Sequence, residues 1–137
     1  SIMADEIGFE VRMEQNYEDA VKLVTDALKA EGFGVLTEID VKATLKKKID
    51  ADFRPYVILG ACNPALAYQA LSSQPEVGLM LPCNVTVENS DDGGSIIRII
   101  DPKMMMGVGK FSNNPSLSHV AAQAHEKLAR VAESLRS

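Results

Sequence analysis

The chain has 137 residues, 46% apolar and 24% charged, and a formal charge of −5. That length and composition fit one globular domain, 1–137, able to bury a core without covalent staples. The acidic balance repels phosphate backbones, and 5% aromatics without tryptophan leave no base-stacking platform, so nucleic acid is not expected as a partner.

Ile7, Phe9, Val11 and Met13 alternate with Gly8, Glu10 and Arg12, the period of a strand with one wet face. Asn16 offers a cap for a helix whose stripe is Ala20, Leu23, Val24, Ala27 and Leu28, with Gly32 as its stop. Phe33, Val35, Thr37 and Ile39 form a second alternating strand. Asp40 can then cap a short helix edged by Val41, Leu45 and Ile49. Tyr56 to Cys62 is almost continuously apolar, which suits a strand covered on both faces. Asn63-Pro64 is a helix start, a capping side chain followed by proline at the first helical position. That helix carries Leu66, Ala67, Ala70 and Leu71 and ends before Pro75. The next strand runs from Val77 to Glu88, with Pro82 marking an edge or a bulge. Asn89 to Gly94 is a turn cluster that closes a hairpin onto Ile96–Ile100, and a Met- and Gly-rich connection covers Lys103 to Lys110. Asn114-Pro115 starts a final helix. Its stripe of Leu117, Ala121, Ala124, Leu128, Val131 and Leu135 either covers a sheet or lines a dimer seam.

This order reads as an α+β fold of two layers, a mixed β-sheet with helices packed mainly on one face and a long C-terminal helix. Helices of crossover length imply some parallel pairing, and an α/β fold with a mostly parallel sheet is the alternative. The free sheet face offers a place for a second subunit.

No motif for a cofactor survives inspection, so none is expected. Gly107-Val108-Gly109-Lys110 has Met104 where a phosphate loop needs glycine and Phe111 where it needs Ser or Thr. His125-Glu126 lacks the second histidine of a zinc-protease helix, since position 129 is Ala129. Met104, Met105 and Met106 read as core fillers before they read as soft-metal ligands. The triplet Asn84-Val85-Thr86 falls in a strand, and Lys46, Lys47 and Lys48 read as a solvated helix face. No Ser-His-Asp order or carboxylate pair defines a catalytic residue, and whether the protein is an enzyme stays open at this level. No run approaches the ~20 apolar residues of a spanning helix. No secretory signal opens the chain, and two cysteines suit reduced thiols in a cytoplasm.

The candidate site is Cys62, Asn63 and Cys83. Cys62 ends the most apolar strand just before a helix N-terminus, where backbone N–H groups favour an anion. A crossover-length helix separates it from Cys83, so the two strands can be neighbours and the thiols can meet. Such a pair would serve thiol exchange, sulfur transfer or soft-metal binding, against the alternative of two packed thiols.

Leu59-Gly60-Ala61-Cys62-Asn63-Pro64 followed by Leu81-Pro82-Cys83-Asn84 resembles the family known as domain of unknown function 302. Phe53-Arg54-Pro55-Tyr56 and Asp101-Pro102 extend the resemblance over nearly the whole chain. The resemblance implies a small α and β fold and homodimers, and no established activity. The expectation is therefore a homodimeric domain that binds a small molecule or a protein partner, with the thiol-dependent protein as its rival.

Overall fold

The computed structural model of the chain describes residues 7–136. The N-terminal residues read for a leader lie mostly outside that range. The chain runs β1 (Gly8–Met13), α1 (Tyr17–Ala30), β2 (Gly34–Asp40), α2 (Val41–Ile49), β3 (Tyr56–Cys62), α3 (Pro64–Ser73), a 3-10 turn (Pro75–Met80), β4 (Cys83–Asn89), β5 (Ser95–Ile100), α4 (Pro102–Met105), a second 3-10 turn (Gly109–Asn113) and α5 (Pro115–Arg136). The caps read from sequence are in place. Asn16 Oδ1 accepts from Asp19 N–H, Asp40 Oδ1 from Ala43 N–H and Asn114 Oδ1 from Leu117 N–H. Each satisfies one of the donors that a helix start leaves without an intrahelical partner.

The five strands form one open sheet in the order β1-β5-β4-β3-β2, and every neighbouring pair is antiparallel. The α+β class, the layer of helices and the long C-terminal helix stand as expected. The parallel pairing does not. A crossover helix makes neighbours parallel only when it carries the chain back to the end where the previous strand began. Here each intervening segment goes out and returns. α2 stops at Asp50, which takes a left-handed conformation (φ 54°), and residues 50–55 lead back to β3. α3 stops at Ser73, just before Pro75, and the 3-10 turn beside it leads back to β4. α1 alone crosses the sheet, from one edge to the other.

Register assigns the faces. Val11, Ile97, Val87 and Val57 lie across one row of the sheet, and Ile99, Val85 and Leu59 across the next. All seven are essentially buried under the helices. The final stripe, Leu117 to Leu135, is buried as well, together with Val120 and Ala132. It serves this chain's own core and leaves no seam. The opposite sheet face carries Glu10, Arg98, Thr86 and Ile58, so β3 is covered on one face only. Edge strand β2 is almost wholly exposed, and α2 buries no residue. The strand expected from Val77 begins only at Cys83. Pro82 precedes it, joined to Leu81 by a cis peptide bond, and makes no bulge within it. No helix among the described residues is long and apolar enough to cross a membrane.

Candidate functional site

β3 ends, β4 begins and β2 begins at the same end of the sheet, because β3 runs antiparallel to both neighbours. A cavity of about 300 Å³ opens there. Ala61 and Cys83 contribute its sheet side, Leu66, Ala67 and Leu71 come from α3, and Val120 and Ala124 come from α5. Phe33, Leu36, Leu81, Pro82 and Met106 complete the apolar lining. Space remains because three of these positions are alanines, where larger side chains would meet. Leu36 and Leu71, 68% and 40% exposed, mark the side open to solvent. Among the described residues, the only polar side chains in the lining, apart from the thiols, are Thr37 and Asn63, and none is charged. An apolar lining with one or two polar groups is the usual make-up of a small-molecule site.

The geometry around the cavity is tied down by two glycines. Gly32, past the end of α1, has φ +83°, and a Cβ there would stand 2.9 Å from Asn63 Nδ2. Asn63 Oδ1 accepts from Leu66 N–H at 3.2 Å, so one side chain caps α3 and abuts the exit of α1. Gly60 is closer still. A Cβ there would lie 2.1 Å from Thr37 Oγ1 and 2.7 Å from Pro82 Cγ. Its absence lets the irregular start of β2, between Val35 and Thr37, and the Leu81-Pro82 bond close over β3.

Cys62, Asn63 and Cys83 all reach this cavity, but the two thiols do not form a pair. The strands are neighbours, as expected. Ala61 stands opposite Cys83, so Cys62, one residue further, points to the other face of the pleat. Both cysteines are free. Burial, with a smaller contribution from Cys62, pushes the Cys83 thiol up to about 11. A thiol held neutral at physiological pH is a poor nucleophile and a poor ligand, so thiol-dependent chemistry is not favoured. Among the described residues no cluster of three His, Cys, Asp or Glu side chains could hold a metal ion.

Of the other features, one enters the cavity and the rest lie elsewhere. Met106 is buried in its wall, as a gap-filling methionine, whereas Met104 is exposed. The glycine loop folds into a 3-10 turn whose Lys110 pairs with Glu76. His125 sits half-buried at the edge of the core. Its Nδ1 lies 2.9 Å from Asp101 Oδ1, and its ring packs on Phe9 with centroids 5.4 Å apart. Asp101 also accepts from Lys103 N–H, so the contact fastens α5 to the start of α4. On the open sheet face Arg98 bridges Glu10 and Glu88. Sequence reasoning missed these pairings, and it missed Thr37, Leu66, Ala67 and Val120 as cavity residues. No local signal marks them, since their neighbours come from distant segments.

Together the open antiparallel sheet, the helices on one face and the apolar cavity at the sheet end define a two-layer α+β domain. The model of the family described as domain of unknown function DUF302 matches residues 9–135, and the chain belongs to that family. The crystal structure of an uncharacterized conserved DUF302 protein from Bacillus stearothermophilus is similar over 95% of this chain and 98% of its own, with 32% identity and a TM-score of 0.83. No curated protein matches the chain by sequence. Of the residues that carried the resemblance, Ala61, Cys62, Asn63, Leu81, Pro82 and Cys83 line the cavity, and Gly60 lies against Thr37 and Pro82.

Proposed function

We propose that this protein is a binding domain for a small, uncharged, mostly hydrocarbon molecule held in the cavity at the end of β3. The observation that carries the reading is a space of about 300 Å³ walled mostly by carbon, with no charged side chain among the described residues that line it. At roughly 30 Å³ per atom it takes about ten non-hydrogen atoms. A charged ligand would lose its hydration without gaining a partner. Methyl NMR titration with 2-octanone tests this. Shifts confined to Leu66, Leu71, Met106 and Val120 are expected, and shifts that are absent or scattered over the surface would remove the reading.

The same proposal includes a homodimer in a cytoplasmic setting. Support for the dimer comes from β2, an edge strand with unpaired backbone groups and exposed Leu36 and Ile39 (68% and 48%). Two free thiols suit a reducing compartment. Light scattering over a concentration series, showing monomer throughout, would eliminate the dimer.

A further inference from the structure

We infer that the bound molecule carries a neutral hydrogen-bond acceptor of the carbonyl kind, and that the amide NH₂ of Asn63 receives it. The inference rests on the cavity reading above and narrows its ligand class. Asn63 has two ends with different fates. Its Oδ1 is committed to Leu66 N–H at 3.2 Å, and that bond fixes which way the amide is turned. The Nδ2 end is then a donor group with no protein acceptor among the described residues. It cannot swing freely, because Gly32 lies against it so closely that a single added carbon would sit 2.9 Å away. Among the described residues Asn63 and Thr37 are the only polar side chains in the lining apart from the thiols.

Asn63 lines the cavity, so this donor borders its hydrocarbon wall, and on another side the same residue borders an outer groove lined by Gln69, Gln123, Glu126, Lys127 and Arg130. Among the described residues neither a carboxylate nor an ammonium ion finds an opposite charge in that wall. An alkane fills the space and leaves the NH₂ group without a bond. A ketone, ester or amide of about ten non-hydrogen atoms fills the space and accepts from it.

Asn63→Asp separates the capping role from the donor role. Aspartate caps a helix start as well as asparagine does, so α3 keeps its N-terminal bond while the donor disappears. Asn63→Ser, another good cap without an NH₂ group, is the second variant. The ligands are 2-octanone and 1-octene, nearly equal in size, followed by methyl NMR titration, with thermal unfolding reporting that each variant folds. The wild-type protein is expected to bind the ketone about three- to tenfold more tightly than the alkene, the ratio one hydrogen bond supplies. Both variants are expected to bind the alkene within about twofold of wild type and to lose the preference for the ketone. A ketone preference that is missing from the wild type, or that survives in both variants, overturns the inference while the alkene still binds. Failure of both ligands to bind the wild type would instead overturn the cavity reading itself.

Discussion

Replacing Ala67 by phenylalanine should fill the cavity and abolish ligand binding without unfolding the protein. Ala67 is half-buried on α3 and faces the cavity between Leu66 and Leu71. The substitution adds six ring carbons, roughly 180 Å³ at about 30 Å³ each, against a cavity of about 300 Å³. Capacity falls from about ten non-hydrogen atoms to about four. Each buried methylene is worth ~0.8 kcal/mol, or about fourfold in Kd. Across a series of 2-alkanones the wild-type protein should therefore bind more tightly up to roughly ten non-hydrogen atoms and then level off, whereas A67F should level off at roughly four. The ring itself gains up to ~1–2 kcal/mol from partial burial, less ~0.5 kcal/mol of helix propensity. Its thermal midpoint should hold or rise. Methyl NMR titration and thermal unfolding measure the two effects. Unchanged affinity for 2-nonanone in A67F, or a loss of stability above about 2 kcal/mol, would refute the reasoning, because either result means the space is not there to be filled.

The Cys83 thiol predicts a loss of stability at high pH. Its folded pKa of about 11 lies above the ordinary 9.0, so the unfolded chain releases the proton first as pH rises. Stability should fall by about 1.4 kcal/mol per pH unit between 9 and 11. Cys83→Ala should remove that slope relative to wild type, and parallel denaturation curves for the two proteins would contradict the assignment. Gly60→Ala should destabilise by about 1–3 kcal/mol, because the methyl group meets Thr37 and Pro82. Adding Thr37→Ala should recover part of that loss, and a G60A protein within about 0.5 kcal/mol of wild type in urea would count against the close approach.

Helix starts were legible in the sequence because capping is local. Asn16, Asp40, Asn63 and Asn114 each accept from an N–H three residues on, and such a contact needs no knowledge of the rest of the chain. Strand direction was not legible. The residues between β2 and β3, and between β3 and β4, are long enough for a crossover, and length does not distinguish a crossover from a segment that doubles back. Asp50 and Pro75 decide it, through one left-handed residue and one helix stop. The same distinction explains the site. Asn63 stood out through its Asn-Pro pair, and Cys62 and Cys83 through their element, and all three lie at the sheet end where the cavity opens. The thiols fail to meet because a one-residue offset in register changes the face, which spacing along the chain does not reveal. The cavity is a property of several segments at once. Its alanines at 61, 67 and 124 look like ordinary core residues until the side chains opposite them are known.

Strand β1 has a consequence for how this chain is assembled. Its one partner in the sheet is β5, in a register that joins Gly8 to Ile100 and Met13 to Ser95. The first of these five strands to leave the ribosome must therefore wait for the last, while the segments between them complete their own hairpin-like pairings. Until residue 95 emerges, Val11 and Met13 have no place to go, and they remain available to chaperones or to neighbouring chains. A nascent chain stopped short of β5 should be caught by proteases at its beginning rather than at its growing end.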